Sequence, residues 1–144
     1  MQNFLGDIEC TLDAKGRLMI PARFRHLVPE DTGSMYVVSM GKERCLNLFP
    51  LREWNEIIVS KLHEMPPGPE KRNAIRYFSS RSSTLKIDKT GRVPIPTQFL
   101  AAIGSPKKVM VVGALNFMEI WSLDDYRTSA EAIDDAFRES GFEY

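Results

Sequence analysis

The sequence predicts an α+β protein, mainly β, built from two tandem copies of one small module that are related by an internal pseudo-twofold axis. Three observations predict this class. A motif of 13 residues occurs twice, at an offset of 75 residues. Each copy follows the same order of short β-type segments, tight turns and amphipathic helices. A proline-rich segment at residues 65–69 separates the two copies.

The repeated motif is the strongest organising signal in the chain. Residues 12–24 (LDAKGRLMIPARF) align with residues 87–99 (IDKTGRVPIPTQF), and the Asp, Gly, Arg, Ile, Pro and Phe positions are identical. Further matches follow the motif. Residues 35–37 align with 110–112 at the same offset of 75. At an offset of 72, five apolar positions then align in order: Leu46, Leu48, Phe49, Leu51 and Trp54 with Met118, Ile120, Trp121, Leu123 and Tyr126. Since about four short strands are marginal alone, the halves are predicted to interlock around one core.

Each copy begins with two strands on either side of an Asp-x-x-Gly turn. The strands are predicted at residues 8–12 and 17–20, and again at 83–87 and 92–95. Glycine suits a turn position with positive φ, and aspartate accepts hydrogen bonds from turn amides, so each pair is predicted to be a hairpin. Pro21 and Pro96 suit the first turn of short helices that end near Leu27 and Ile103, with Gly104 as a C-terminal stop.

A second hairpin and a longer helix complete each copy. The hairpins pair 35–40 with 46–49, and 109–112 with 117–121. Apolar side chains share one face of each predicted helix, and Ser122 is the expected N-cap of the second: Leu51, Trp54, Ile58 and Leu62; Leu123, Tyr126, Ala130, Ile133 and Phe137. The domain division is therefore residues 1–64, a proline break and connecting helix at 65–80, and residues 81–144.

Charge is distributed unevenly, although the formal net charge is zero. Residues 119–144 hold eight acids and two bases, a net of −6, so residues 1–118 carry +6. A basic body with an acidic C-terminal helix is typical of proteins that contact polyanions, and the alternative is a solvated acidic helix with no partner.

The remaining composition predicts a cytoplasmic protein. No apolar run approaches the ~20 residues of a membrane span, and the N-terminal residues lack the pattern of a signal peptide. Cys10 and Cys45 are expected to be buried thiols. The recurring aromatic residues are expected in the core: Phe24, Phe99, Trp54 and Trp121.

The basic residues around the two turns are the candidate functional residues. An arginine just past a tight turn can project its planar guanidinium to guanine O6 and N7 or to phosphate. The predicted DNA-binding set is Lys15, Arg17, Arg23, Arg25, Lys86, Lys89 and Arg92, on turns formed by Asp13, Gly16, Asp88 and Gly91. The competing interpretation is that each arginine only forms a local ion pair with the aspartate of its own turn.

No pattern indicates an enzyme, a metal site, a cofactor or a small-molecule substrate. His26 and His63 lack metal-ligand spacing, and neither a nucleophile elbow nor a phosphate-binding loop occurs. Asp13 and Asp88 could form a catalytic carboxylate dyad if both were buried and faced each other. Both lie in charged turns that are expected to be exposed, so a dyad is not expected.

At these residues the sequence resembles the MraZ family of bacterial regulators. The match runs from Phe4 to about Arg138 and includes both Asp-x-x-Gly-Arg motifs, each followed by Ile-Pro. The resemblance implies the swapped-hairpin β-barrel of the AbrB superfamily. It also implies a nucleoid-associated transcription factor, binding double-stranded DNA at the promoter of the division and cell-wall gene cluster. A homo-oligomeric ring, often an octamer, would present many motif turns to repeated DNA boxes.

Two points depart from that pattern or stay open. Thr90 stands in the second motif where the first has Lys15, so unequal DNA contacts by the two turns are expected. The alternative function is a protein-interaction or antitoxin-like scaffold module without DNA readout, in which the acidic C-terminal helix binds a protein. A basic stripe containing Arg17 and Arg92 would favour DNA, whereas an exposed apolar groove would favour a protein.

Overall fold

A computed structural model describes residues 3–28 and 34–144 of the chain. The first repeat contains four strands and three α-helical segments: β1 (Asp7–Thr11), β2 (Arg17–Met19), α1 (Ala22–Arg25), β3 (Met35–Met40), β4 (Leu46–Pro50), α2 (Leu51–Trp54) and α3 (Ser60–Glu64). A π-helical segment, Asn55–Val59, joins α2 to α3. The single helix predicted here is thus continuous in direction but carries a π-bulge.

A connecting helix and the second repeat follow in the predicted order. Their bounds are α4 (Pro69–Ser80), β5 (Ser82–Lys86), β6 (Arg92–Pro94), α5 (Thr97–Ala102), β7 (Lys108–Gly113), β8 (Met118–Ser122) and α6 (Leu123–Ser140). Ser122 caps α6 as expected, since its hydroxyl accepts a hydrogen bond from the Asp125 amide at 3.1 Å. Gly104 follows α5 with a φ of 86°, which a glycine adopts without the strain of a Cβ.

Six strands form one antiparallel sheet whose order is a palindrome of equivalent strands. The order is β1-β7-β8-β4-β3-β5, so strands at matching distances from the centre come from matching places in the two repeats. At the centre, Leu46 pairs with Ile120 and Leu48 pairs with Met118. The Asn47–Glu119 pair between them joins two positions that are equivalent at the offset of 72. The pseudo-twofold axis therefore passes through the middle of this sheet.

The remaining two strands form a ribbon on the same axis. β2 pairs with β6 in a two-stranded sheet, and its central pair is Leu18 with Val93, which are equivalent residues of the two motifs. Reciprocal hydrogen bonds extend the ribbon, because the amides of Ile20 and Ile95 donate to the carbonyls of Gly91 and Gly16, both at 3.0 Å. The predicted α+β, mainly β fold with an internal pseudo-twofold is confirmed.

The predicted hairpins at the motif turns were wrong in one respect. β1 pairs with β7 and β2 pairs with β6, so the strands on either side of the first turn join the other repeat. A single Leu12–Leu18 bridge remains between them. Through this exchange each repeat contributes strands that pair with strands of the other repeat, as in a swapped-hairpin fold. The central residues of the ribbon, Leu18 and Val93, are completely buried. The second hairpins, β3 with β4 and β7 with β8, form as predicted.

One hydrophobic core lies between the ribbon and the sheet. Equivalent residues of the two motifs lie in this core, and each is at most 4% exposed: Leu18, Ile20, Phe24, Val93, Ile95 and Phe99. Burial of this kind is worth roughly 1.5–3 kcal/mol for each large side chain. Cys45 is buried and Cys10 half-buried, both as free thiols, and burial raises the pKa of Cys45 to about 12. In the described residues, no helix is long and apolar enough to cross a bilayer.

Candidate nucleic-acid interface

The first motif turn is organised by the carboxylate of Asp13. Its Oδ1 accepts hydrogen bonds from the backbone amides of Lys15 and Arg17, both at 2.9 Å. Its Oδ2 accepts a further bond from the Nε of Arg17 at 2.6 Å. The Gly16 amide donates to the Asp13 carbonyl at 3.0 Å, and Gly16 has a φ of 75°, so only glycine fits there without strain.

The second motif turn repeats this backbone arrangement with a different arginine contact. Asp88 Oδ1 accepts from the amides of Thr90 and Arg92 at 2.8 and 3.0 Å, and from the Thr90 hydroxyl at 2.7 Å. Gly91 has a φ of 87°. The Nη1 of Arg92 donates to the Thr90 hydroxyl oxygen at 2.7 Å. The threonine that replaces Lys15 therefore holds the arginine of its own turn.

The same contacts set the charge state of both aspartates. Hydrogen bonds from the Arg17 and Arg92 amides are the largest cause that lowers the pKa of Asp13 and Asp88, respectively. For Asp13 the Arg17 side chain adds to this effect, whereas for Asp88 the Thr90 hydroxyl does. Both turns thus keep a carboxylate anion beside an arginine.

The ribbon brings the two arginines to one outward face. Side chains alternate along each strand, and Leu18 and Val93 point into the core. Arg17, Met19, Arg92 and Pro94 consequently share the opposite face, where all four are exposed or half-buried. Arg17 pairs with Pro94 and Arg92 with Met19, so the two arginines are diagonal neighbours across the ribbon.

The other predicted residues divide into those near the turns and those away from them. Lys15 and Lys89 are exposed within the first and second turns, and Lys86 is exposed at the end of β5, two residues before Asp88. Arg23 lies elsewhere: its guanidinium stacks over the Phe24 ring at 5.2 Å and covers Gly6. Its DNA-binding role stays a prediction.

Arg25 reaches across the pseudo-twofold to the second turn. A Cβ at Gly91 would overlap its guanidinium, whereas the equivalent Gly16 faces the Leu100 side chain at 3.2 Å from a built Cβ. Leu100 is the residue equivalent to Arg25, so only the second turn receives this extra cation. Sequence reasoning chose Arg25 for its charge and missed this contact, because a contact between repeats leaves no signal in local spacing.

The geometry of the two turns does not support the alternative of a carboxylate dyad. Each aspartate binds the amides of its own turn through Oδ1; the Asp13 side chain is 30% exposed, and Asp88 is exposed as well. Two carboxylates can share one proton only when they face each other in a desolvated site. Over residues 3–28 and 34–144, no cluster of three or more His, Cys, Asp or Glu side chains is suited to hold a metal ion.

A second notable surface is the outer part of α6. Its first turns are anchored, since the Tyr126 hydroxyl donates to Asp7 at 2.9 Å and Arg127 lies 3.8 Å from Glu9. Beyond them every residue from 130 to 144 is exposed. Ile133 and Phe137 are 51% and 53% exposed on the apolar face of a helix whose charged residues are mostly acidic. This face has the composition of a protein contact surface.

A comparison with known families covers both repeats, including both motif turns. The model of the family described as "MraZ protein", with a suggested antitoxin-like character, matches residues 3–75 and 79–141. The chain belongs to the MraZ family. The two matched segments correspond to the two repeats, so the family carries the duplication seen in the sheet order.

The sequences of relatives in this family align with this chain over most of their length. A protein of Ligilactobacillus salivarius called "Transcriptional regulator MraZ" is 38% identical over 135 residues, which is 93% of this chain and 91% of that protein. Proteins with the same name from Desulforamulus reducens and Lachnoclostridium phytofermentans are 35% and 33% identical, covering 90% and 88% of this chain and 90% and 86% of their own lengths.

Proposed function

We propose that this MraZ-family chain is a transcriptional regulator that binds double-stranded DNA with its two Asp-x-x-Gly-Arg turns. The observation that carries the proposal is the shared outward face of Arg17 and Arg92 on the β2–β6 ribbon. A two-stranded ribbon fits the major groove of B-DNA, where arginine forms its commonest specific contact, a bidentate pair with guanine. The relatives' shared name, transcriptional regulator, supports the same function.

The proposed assembly is a homo-oligomeric ring, an octamer in the family pattern, that acts on the promoter of the division and cell-wall gene cluster. One ribbon offers few base contacts, so affinity needs several ribbons on one rigid assembly, and avidity can then exceed single-site affinity by about 10²–10⁴. The half-exposed Ile133 and Phe137 supply apolar area for subunit contacts. The regulator is proposed to act in the cytoplasm, associated with the nucleoid.

Footprinting on the DNA upstream of the protein's own gene, beside light scattering to count subunits, tests this proposal. We expect protected boxes that recur near one helical turn, roughly 10–10.5 bp. Arg17→Ala is expected to abolish the specific gel shift while the circular dichroism spectrum stays that of the wild type. Wild-type affinity in that variant would reject the proposal.

A protein-interaction or antitoxin-like module is the second candidate, and the exposed α6 face favours it. The helix is acidic, which disfavours contact with DNA phosphates, and its apolar face resembles a helix that docks into a groove. A groove of about 400 Å³ lies between the sheet and helices α2 and α4, lined by Phe49, Trp54, Ile58, Phe78, Phe117 and Glu119 among others. Absence of any footprint, together with a stable complex formed through α6, would favour this candidate.

A further inference from the structure

The two motif turns differ in which atoms of their arginines are already occupied. In the first turn, Arg17 donates its Nε to Asp13 Oδ2 at 2.6 Å. In the second turn, Arg92 donates its Nη1 to the Thr90 hydroxyl at 2.7 Å. These are the only side-chain hydrogen bonds of the two arginines within the described residues. The turns are thus alike in backbone but unlike in the arginine atoms that remain open.

The occupied atom decides which guanine contacts are possible. A guanidinium chelates guanine through two nitrogens, one to O6 and one to N7. Arg17 keeps both Nη groups for this pairing, and the carboxylate fixes the plane of the guanidinium by holding its Nε. Arg92 also keeps nitrogens free for such a pair, but its guanidinium is held through one Nη1 hydrogen by a neutral hydroxyl rather than through Nε by a carboxylate. The cost of fixing the guanidinium is therefore met more fully in advance for Arg17, whose partner is charged.

We propose that Asp13 is a positioning residue that aims the Arg17 fork at a guanine, and that Asp88 has no such part because Thr90 holds Arg92 instead. This inference rests on the proposed DNA-binding function and deepens it. Within each chain the first turn reads a base. The second turn, with Arg92, Lys89 and the crossing Arg25, contributes mainly charge toward the phosphates.

The pair Asp13→Asn and Asp88→Asn tests this directly, because the second variant is a matched control. In both, the Asn Oδ1 can still accept the two turn amides, and one negative charge is lost beside the DNA. Only Asp13→Asn also replaces an oxygen that touches arginine Nε with an amide NH₂. Affinity for poly(dI-dC), which measures charge alone, should therefore rise by a similar factor in both variants.

Guanine reading is measured with the footprinted upstream duplex and the same duplex carrying 7-deazaguanine in the protected box, which lacks the N7 acceptor. Wild type and Asp88→Asn should lose about tenfold in affinity on the modified duplex. Asp13→Asn and Arg17→Ala should bind both duplexes equally. Asp13→Ser, whose hydroxyl can also accept a turn amide but carries no charge for Arg17, repeats the test if Asp13→Asn fails to fold.

Each remaining outcome overturns the inference. If Asp13→Asn lost as much affinity on the 7-deazaguanine duplex as wild type and Asp88→Asn do, Asp13 would not position the arginine. Loss of sensitivity in both would remove the difference between the turns. A wild-type protein that footprints the duplex but ignores 7-deazaguanine would bind DNA without this guanine contact. A wild-type protein with no footprint would reject the proposed function itself, which is a separate result.

Discussion

At the scale of single residues, one carboxylate organises each motif turn. Asp13 and Asp88 each accept the amides two and four residues ahead, and a glycine with positive φ closes both turns. The aspartates therefore have a structural role whether or not their arginines contact DNA. The local ion pair that competed with DNA binding does form in the first turn, between Asp13 and Arg17. Since the Arg17 side chain is still 40% exposed, the pair leaves its outer nitrogens accessible.

The lowered pKa values of Asp13 and Asp88 predict acid sensitivity. Because each folded-state pKa lies below the unfolded value of about 3.9, the carboxylates stabilise the fold above about pH 4. That contribution disappears as the pH falls through the folded-state pKa. Carboxyl-carbon NMR titration should place both pKa values below 3.8, and urea unfolding between pH 2 and 6 should show less pH dependence in Asp13→Asn. A pKa at or above the ordinary value would contradict the bonding described for that turn.

At the scale of elements, the ribbon joins the binding face to the core. Its inward residues, Leu18 and Val93, are fully buried on the pseudo-twofold axis, while its outward residues include both motif arginines. A change in the core pair would therefore alter the spacing of the arginines as well as stability. The six-stranded sheet lies behind the core and fixes the ribbon's position through both repeats.

Leu18→Ala is expected to lower the free energy of unfolding by about 2–5 kcal/mol, because it leaves a cavity where both repeats meet. Met19→Ala is the matched control on the outward face of the same strand, where Met19 is 37% exposed. Its effect should stay within about 0.5 kcal/mol. Urea unfolding measures both variants, and equal effects would contradict the placement of the core.

Sequence reasoning succeeded where the signal was local or repeated. The duplicated motif, the positions of proline and glycine and the spacing of apolar residues predicted the order of strands and helices. They also predicted the second hairpins and the Ser122 N-cap. It failed at the partners of β1 and β2, because the alternation of apolar residues specifies a buried face but not which strand lies beside it. The contacts of Arg25 with Gly91 and of Arg23 with Gly6 also depend on the tertiary fold alone.

At the scale of the whole molecule, the duplication is symmetric in its core and asymmetric at its surface. The first repeat is followed by α4, whose Phe78 packs edge-on against Trp54 with ring centroids 6.2 Å apart. On the outer half of α6 in the second repeat, Ile133 and Phe137 are 51% and 53% exposed. The apolar face of α6 is consequently open along its outer half, and this is the surface proposed to join subunits.

Replacing Ile133 and Phe137 together by serine should reduce the mass of the assembly, because the change removes apolar area from that surface. Size-exclusion chromatography with light scattering measures the mass. Leu5→Ser is the control, since Leu5 is 63% exposed but lies outside α6. An unchanged mass in the α6 variant would exclude this helix from the subunit contact.

The most direct test of the central claim compares two charge-matched double variants on the upstream duplex by fluorescence anisotropy. Arg17→Ala with Arg92→Ala removes both outward arginines of the ribbon, whereas Arg52→Ala with Arg76→Ala removes two exposed arginines of α2 and α4. We expect the ribbon variant to bind the upstream duplex no better than poly(dI-dC), and the helix variant to keep its preference with at most a modest, salt-dependent loss of affinity. Equal loss of preference in both variants would contradict a DNA-reading role for the ribbon.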